Sequence, residues 1–269
     1  MMADIWAAVP VKEFAGAKQR LAPLLTPEQR QALAAAMLED VLSALSGAPL
    51  AGILVNTLEP LAVEIARRYG ARVVTDDARG GHTGAVTAMA RILAAEGHEG
   101  MLTVPGDIPR VTAAEIATVI AARRPAPSLT IVPARDERGS NAMLLSPSLV
   151  MPLRFGDDSF LPHLATARGL GIEPTIVKLP GIGLDIDQPE DVAAFVGAEP
   201  RMATRALALL RETVGVTPSP TLPRAKRGRG SPSATHTHSR AMRGGVLGRG
   251  SDPLLRCHHL ARRCLYHRR

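Results

Sequence analysis

The chain has 269 residues, of which 46% are hydrophobic and 3% are aromatic, and its formal net charge is +7. This length suffices for one large domain or two small ones with an aliphatic core. Residues 1–214 hold 20 basic and 24 acidic side chains, whereas residues 215–269 hold 12 basic side chains and one acidic side chain. The positive charge therefore belongs to the C-terminal segment and does not indicate a nucleic-acid-binding fold in the remainder.

Residues 215–269, called the tail below, are rich in Pro, Ser, Gly and Arg and contain both cysteines. Such a composition cannot bury enough apolar surface to offset the entropy of ordering, so we expect a disordered tail after a folded domain of residues 1–214. The first residues do not show the charged start and apolar segment typical of a signal peptide, and Gly and Pro interrupt the longest uncharged segment. We therefore expect a cytoplasmic protein that has no membrane partner.

Short apolar strands alternate with amphipathic helices through residues 1–214. The sequence predicts strands at 5–11, 52–57, 71–75, 101–104, 129–134, 142–146 and 174–179. It predicts helices from Pro27 onward and at 60–69, 85–96, 112–124, 189–196 and 200–214, with a loop around 155–160. This alternation predicts an α/β fold, with a mostly parallel central sheet and helices on both faces.

Three cations follow the first predicted strand within nine residues: Lys12, Lys18 and Arg20. Ligands collect at the carboxyl ends of strands in open α/β sheets, and Lys and Arg side chains neutralise phosphate oxygens. The segment therefore predicts a triphosphate-binding loop, although it lacks the Gly-Lys-Ser/Thr of a P-loop. A solvated basic loop is the alternative.

Carboxylates follow at two later places. Asp107 lies between two prolines directly after the fourth predicted strand, where it is a natural Mg²⁺ ligand. The segment Leu184–Asp191 holds four acids, and in an extended backbone Asp185 and Asp187 share one face. One of that pair would complete the metal site and the other would serve structure. An acidic cluster that caps the next helix is the alternative.

Hydroxyl and glycine residues mark another loop region, in the stretches Arg138–Ala142 and Phe155–Phe160. Small residues at such positions let backbone N–H groups approach a phosphate or carboxylate closely. His163 lies four residues after Ser159, and hence on the same face if this stretch is helical. A lone histidine is more often structural, so His163 is given no catalytic role.

Read in order, these segments resemble the nucleotidyltransferases related to the molybdenum-cofactor guanylyltransferases, and among them the guanylyltransferases of coenzyme F420 biosynthesis. The matching stretches lie within residues 4–197 and read VPVKEFAGAKQRLAPLL, MLEDVL, PGDIP, GSNA, FGDDSF and LDIDQPEDV. The resemblance implies a Rossmann-like nucleotidyltransferase fold and an enzyme that transfers GMP from GTP to a phosphorylated three-carbon acid, releasing pyrophosphate. The Ala- and Arg-rich composition is typical of a GC-rich bacterial genome. By association with such genomes, it favours 3-phospho-D-glycerate or phosphoenolpyruvate over 2-phospho-L-lactate as the acceptor.

The resemblance also implies roles for single residues. Asp107 and Asp185 would be the Mg²⁺ ligands, and the acceptor acid would be bound by Ser140, Gly156 and Ser159. The catalytic and nucleotide-binding cations would be Lys12, Lys18 and Arg20. Thr83 lies in the loop expected to read the guanine base or the ribose. Here His82 and Thr83 replace the usual Leu and Asn, and Ser140 replaces a usual Thr.

Two other functions are weighed against this one. The first is another nucleotidyltransferase of the same fold, acting on a sugar phosphate or the molybdenum cofactor. It lacks support because the Gly-Gly-x-Ser-x-Arg loop of such enzymes is missing after the first strand. The second is a nucleic-acid-binding protein that acts through the tail, although one aromatic residue, Tyr266, offers little base stacking. The oligomeric state is open, with a homodimer as one alternative.

Overall fold

The computed structural model describes residues 4–156, 158–198, 200 and 202–214. The disorder predicted for the tail therefore lies outside the described residues. Within them the strands are β1 (Ile5–Pro10), β2 (Gly52–Asn56), β3 (Arg72–Val74), β4 (Gly100–Thr103), β5 (Ser128–Pro133), β6 (Ser140–Ser146) and β7 (Thr175–Ile176). The helices are α1 (Pro27–Ser46), α2 (Pro60–Arg68), α3 (Gly81–Ala95), α4 (Ala113–Ala121), α5 (Phe160–Gly169), α6 (Pro189–Gly197) and α7 (Arg205–Val214).

The strands form one sheet in the order β3-β2-β1-β4-β6-β5-β7. Strand β6 pairs antiparallel with both β4 and β5, and the other neighbouring strands pair in parallel. The register across the centre brings Ile53, Ala7, Leu102 and Leu144 side by side, all of them buried. The prediction of a mostly parallel sheet is confirmed, with one reversed strand inside it.

Helices cover both faces of the sheet, as predicted. On one face Val41 of α1, Ile65 of α2 and Ile116 of α4 pack in a common buried cluster with strand residues. On the other face Met89 of α3 and Leu164 of α5 belong to a second cluster. Helices α6 and α7 pack against α1 in a third cluster. Within the described residues no helix combines the length and the hydrophobicity needed to cross a membrane.

Local signals in the sequence explain where several helices begin. Thr26 caps α1 through a capping box with Gln29, and Pro27 occupies the first turn, as predicted. Thr112 and Glu115 form the same arrangement at α4. Each box satisfies backbone N–H groups that have no partner inside the helix.

Helix α5 was not predicted as a helix, because its sequence carries a weak apolar stripe. Leu161 is 68% exposed, so the apolar residues do not fall on one face. Pro162 is tolerated because it lies in the first turn, where backbone N–H groups lack helical partners.

Several predicted boundaries also shift. Helix α3 begins at Gly81 rather than residue 85, because its first turn has no apolar residue to reveal the helical period. The strand predicted at 174–179 is reduced to Thr175–Ile176, since the chain then turns at Pro180. Helix α7 begins at Arg205 rather than residue 200, and buried Asp40 accepts the backbone N–H groups of Arg205 and Ala206.

The reversal of β6 decides which loops meet at the functional edge. Its neighbours β4 and β5 run parallel to each other and end at this edge. Because β6 runs antiparallel to both, it begins there. Ser140 at the start of β6 is therefore carried to the edge where β4 ends and the loop of Asp107 follows.

Candidate active site

Lys18 joins two carboxylates that lie far apart in the sequence. Its Nζ atom is 2.6 Å from Oδ2 of Asp107 and 2.5 Å from Oδ1 of Asp187. The Lys18 side chain is 9% exposed, while the side chains of Asp107 and Asp187 are 30% and 45% exposed. Lys18 itself has a left-handed backbone, with φ of 53°, just before the short 3-10 helix Gln19–Leu21. The predicted cationic loop and acidic segments therefore meet at one ammonium group.

The loops carrying these carboxylates are tied together by the backbone. The backbone N–H of Ile186 donates to the backbone carbonyl of Asp107 over 3.1 Å. This bond holds the segment around Ile186 against the loop after β4. Asp185 and Asp187 are the residues before and after Ile186. Asp191 caps α6 by accepting the backbone N–H groups of Asp187 and Gln188. The segment thus contains both a site acid and a capping acid, the two roles weighed for it.

The charges at this site shift one another's pKa. Burial by itself would lower the pKa of Lys18, but the neighbouring charges of Asp107 and Asp187 outweigh it and raise that pKa above its usual value. Burial would raise the pKa of Asp107, but the charge of Lys18 outweighs it and holds that pKa below its usual value. Lys18 is therefore charged, and Asp107 is ionised, at neutral pH.

Asp185 lies within electrostatic range of the same group but has a different partner. Its Oδ1 atom accepts a hydrogen bond from Nδ2 of Asn141 over 3.1 Å, and that amide also donates to the carbonyl of Ile182. Burial, then the charges of Asp107 and Asp187, raise the pKa of Asp185. Asp187, rather than Asp185, faces Asp107 across Lys18.

Three carboxylates and one ammonium leave an excess of negative charge among Asp107, Asp185, Asp187 and Lys18. Carboxylate oxygens are hard donors that suit Mg²⁺, which is commonly held by one or two carboxylates together with substrate phosphates. These carboxylates suit a divalent cation by their chemistry, although among the described residues no three His, Cys, Asp or Glu side chains converge on a position where an ion could be held.

Residues predicted to bind the acceptor acid form a hydrogen-bonded cluster. The Ser140 backbone N–H donates to Oγ of Ser159 over 3.2 Å, and the two hydroxyl oxygens are 3.4 Å apart. The Phe160 backbone N–H donates to the carbonyl of Arg138, which fixes the start of α5 beside the start of β6. Gly156 has φ of 144°, a conformation that favours glycine. The structure thus brings Ser140 and Ser159 together as predicted.

Thr83 contacts Phe155 in the loop that precedes α5. Its Oγ1 atom accepts the Phe155 backbone N–H over 2.9 Å and lies 3.4 Å from the Phe155 carbonyl. The rings of His82 and Phe155 are stacked at a tilt, with centroids 4.4 Å apart. Helix α3 therefore begins directly against the loop that precedes α5. The predicted role of Thr83 in nucleotide binding stays a prediction.

A cavity of about 880 Å³ opens at this edge of the sheet. Lys12, Lys18, Asp107 and Asp187 line it, as predicted for parts of one site. Its lining also includes Arg79 and His82 but not Arg20, which is exposed on the 3-10 helix. The lining does not include five other predicted site residues: Thr83, Ser140, Gly156, Ser159 and Asp185. The stacked rings of His82 and Phe155 lie between the cavity and the hydrogen-bonded pair of Ser140 and Ser159, called the acceptor cluster below.

Sequence reasoning missed one contributor to this region and the contacts of two others. Arg79 lies in a Gly-rich turn whose position beside the first loop only the folded sheet reveals. Asn141 belongs to the GSNA stretch, so its motif was noticed but not its contact with Asp185. His163 was noted for its spacing from Ser159, but its hydrogen bond with Ser140 and its burial, at 1% exposed, were not foreseen.

The sequence matches a family model along most of its length. Residues 5–225 match the model described as "Guanylyl transferase CofC like". The chain belongs to this family. It is accordingly an enzyme of the nucleotidyltransferase class, as predicted.

Curated relatives carry names consistent with the family. The chain is 35% identical to the phosphoenolpyruvate guanylyltransferase of Rubrobacter xylanophilus over 71% of its length and 92% of the relative. It is 35% identical to the 3-phospho-D-glycerate guanylyltransferase of Colwellia psychrerythraea, over 68% of the chain and 87% of that protein. The 2-phospho-L-lactate guanylyltransferase of Methanothermobacter thermautotrophicus is 32% identical, over 77% and 92%.

A solved structure supports the nucleotidyltransferase fold. A protein of Desulfovibrio desulfuricans G20 described as a nucleotide-diphospho-sugar transferase aligns with a TM-score of 0.61. The alignment covers 78% of this chain and 95% of the other, at 16% sequence identity. The Rossmann-like nucleotidyltransferase fold implied by the resemblance is therefore confirmed.

Proposed function

We propose that the protein transfers GMP from GTP to a phosphorylated three-carbon acid, releasing pyrophosphate, in the biosynthesis of coenzyme F420 in the cytoplasm. The observation that carries this proposal is the placement of Lys18, Asp107 and Asp187 together on the wall of the large cavity. The cavity has cations for a triphosphate and carboxylates for a divalent cation. Membership of the guanylyltransferase family supports GTP as the donor.

The reaction is an in-line substitution at phosphorus. A phosphate oxygen of the acceptor attacks the α-phosphorus of GTP, and a new P–O bond forms. The bond from that phosphorus to the bridging oxygen breaks, and the oxygen leaves on pyrophosphate with the electron pair. The attacking oxygen is already ionised near neutral pH, so the protein has to neutralise charge and hold the reactants in line.

The chain supplies both cations and carboxylates to the wall of the cavity. Lys12 and Arg79 lie on the wall where they would contact the triphosphate, and Lys18 adds a buried charge. Arg20 stays a prediction, since its side chain is exposed outside the cavity lining. These groups favour the negatively charged triphosphate over a neutral ligand.

Mg²⁺ is the cofactor that the acidic residues suit. Asp107 and Asp185 are the proposed ligands, and Asp187 is added because it faces Asp107. When bound, Mg²⁺ would offset the negative charge that accumulates on phosphate oxygens. Lys18 contacts two of the same carboxylates and keeps them close to each other.

The acceptor acid is proposed to bind at Ser140, Gly156 and Ser159, where two hydroxyl oxygens lie 3.4 Å apart. Phosphoenolpyruvate and 3-phospho-D-glycerate are the favoured acceptors. Relatives 35% identical to this chain carry both names. Each acid presents a carboxylate close to a phosphate, two anionic groups that hydrogen-bond donors can recognise together.

The test incubates the full-length protein with Mg²⁺, one of four nucleoside triphosphates and one of three acceptors, and identifies products by mass spectrometry. The acceptors are phosphoenolpyruvate, 3-phospho-D-glycerate and 2-phospho-L-lactate. We expect a guanylylated acid and pyrophosphate with GTP and one of the first two acids. Absence of product with all three acids would overturn the proposal, and product with a sugar phosphate instead would support the alternative transferase.

Replacing single carboxylates by amides tests whether the reaction takes place at this site. Asp107→Asn removes a carboxylate from the site, and we expect kcat/KM to fall roughly 100-fold or more. Glu190→Gln is the matched control, because Glu190 is exposed in the first turn of α6 within the same motif. Equal activity of Asp107→Asn and wild type would show that the reaction occurs elsewhere.

A further inference from the structure

His163 is a buried histidine whose two ring nitrogens both have partners. Its Nε2 atom lies 3.1 Å from the backbone nitrogen of Arg154, and its Nδ1 atom lies 2.9 Å from Oγ of Ser140. The residue is 1% exposed and belongs to the first turns of α5. It therefore connects the backbone of the loop before α5 to a hydroxyl of the acceptor cluster.

The chemistry of the two partners fixes the tautomer of His163. A backbone N–H can only donate, so Nε2 accepts from Arg154 and carries no hydrogen. Neutral imidazole then carries its hydrogen on Nδ1, which donates to Oγ of Ser140. Burial, together with the charge of His82, lowers the pKa of His163 to about 4, which agrees with a neutral ring.

The orientation of the ring is also fixed. A ring rotated by half a turn would place carbon atoms against both Arg154 N–H and Ser140 Oγ and lose both hydrogen bonds. The edge of the ring packs against Phe155, with centroids 5.2 Å apart at 66°. The Nδ1–H group is thus held toward Ser140.

A donating His163 decides what the Ser140 hydroxyl can do. Ser140 Oγ accepts from His163, and the backbone N–H of Ser140 is already used by Ser159. Among the hydrogen bonds of the described residues, the one between the two hydroxyls runs from Ser159 to Ser140 and leaves the Ser140 hydrogen unused. That hydrogen can therefore be donated to a ligand, and an anionic oxygen is a partner that can only accept it.

We propose that His163 is a positioning residue, which holds the Ser140 hydroxyl as a hydrogen-bond donor to an anionic oxygen of the acceptor acid. The inference rests on the proposed function, and adds a specificity-determining contact through a residue that does not itself touch substrate. A cationic ammonium group in the same place has no lone pair and would leave the hydroxyl donor without an acceptor.

Two amide variants separate the two hydrogen bonds of His163. In His163→Asn the side-chain amide reaches the position of Nδ1 and can still donate to Ser140. In His163→Gln the amide reaches the position of Nε2, accepts from Arg154 and leaves Ser140 without its donor. We expect His163→Gln to raise the KM for phosphoenolpyruvate or 3-phospho-D-glycerate about tenfold, the size of one hydrogen bond to a charged group, and His163→Asn to raise it less.

A double-mutant cycle tests whether His163 acts through Ser140. Ser140→Ala should raise the acceptor KM with the KM for GTP unchanged, and adding His163→Gln should bring no further rise. Effects that multiply in the double variant, or equal rises in both KM values, would overturn the positioning role. Ser140→Thr keeps the hydroxyl and should restore the acceptor KM.

The tautomer gives a readout without substrate. NMR of wild-type protein with ¹⁵N-labelled histidine should show His163 with hydrogen on Nδ1 at pH 7. Hydrogen on Nε2, or on both nitrogens, would overturn the inference and leave guanylyl transfer standing. A wild-type protein that transfers GMP to none of the acids overturns the proposed function itself, so the two failures are distinguishable.

Discussion

At the scale of single residues, Lys18 is the central group of the candidate site. Its ammonium group holds Asp107 and Asp187 close together and keeps the pKa of Asp107 below its usual value. Breaking a buried ion pair by removing one partner is costly because the other charge is left uncompensated. Lys18 therefore contributes both to the arrangement of the site's carboxylates and to its charge.

His163 makes the stability of the domain depend on pH. Its pKa is about 4 in the folded protein against 6.5 for the free side chain. Between these values the unfolded chain binds more protons, so the free energy of unfolding decreases as pH falls from about 7 to about 4. The loss from this group is on the order of 3 kcal/mol.

We expect His163→Gln to be less stable than wild type at pH 7 and the difference to shrink as the pH is lowered, because glutamine does not titrate. Urea denaturation at several pH values between about 4 and 7 measures the difference between the two proteins. The comparison cancels the titration of the carboxyl groups that both proteins share. A difference that stays constant across this range would contradict a neutral, buried His163.

At the scale of elements, periodicity and capping predict most of the fold. The capping box at Thr26 and the stripe of Leu33, Met37 and Val41 place α1 correctly, since these are local signals. The reversed strand β6 could not be predicted, because strand direction depends on partners distant in sequence. Helix α5 was missed since its burial depends on packing that a weak periodicity does not reveal.

In the candidate site too, local sequence signals could be predicted and contacts between distant residues could not. The placement of Asp107, Lys18, Ser140 and Ser159 at the edge of the sheet could be predicted because each belongs to a local sequence pattern, and their roles stay predictions. Their partners could not, since the bond from Asn141 to Asp185 spans 44 residues and the bond from His163 to Ser140 spans 23. A motif identifies which side chains are present, whereas the fold decides which of two neighbouring carboxylates faces the lysine.

The contact between α3 and the loop that precedes α5 separates two roles for Thr83. In Thr83→Val both hydrogen bonds to the Phe155 backbone are lost, so the loop before α5 should be less well held. We expect the KM for the acceptor acid to rise severalfold and more than the KM for GTP, measured by steady-state kinetics with each substrate varied. Thr83→Ser keeps the hydroxyl and serves as the control. A rise confined to the KM for GTP would instead support the predicted role of Thr83 in nucleotide binding.

At the scale of the whole molecule, charge is divided between an acidic folded part and a basic tail. Residues 1–214 carry a net charge of −4 and residues 215–269 a net charge of +11. The wall of the cavity carries the cations Lys12, Lys18 and Arg79 beside the carboxylates of Glu13, Asp107 and Asp187. A triphosphate there would therefore depend on these individual cations, and on a divalent cation at the carboxylates, rather than on the net charge of residues 1–214. A homodimer stays a prediction.

Removal of residues 215–269 should separate the tail from catalysis. We expect the truncated protein to keep the kcat of the full chain and to lose retention on immobilised DNA. The full chain should be retained at low salt and released as salt is raised, since the tail's charges would bind phosphates without sequence preference. Loss of turnover on truncation, with the fold intact by circular dichroism, would show that the tail takes part in the reaction.

The ion pairs of Lys18 also constrain the order in which the protein can mature. They connect Lys18 to Asp107, 89 residues later, and to Asp187, 169 residues later, so the second pair cannot form until nearly the whole domain has been synthesised. Closing chain segments of this length costs entropy that other contacts must first offset. The site is therefore assembled among the last parts of the folding reaction, and a nascent chain that ends before Asp187 has the sheet's first strands but lacks the acid that Lys18 must pair with.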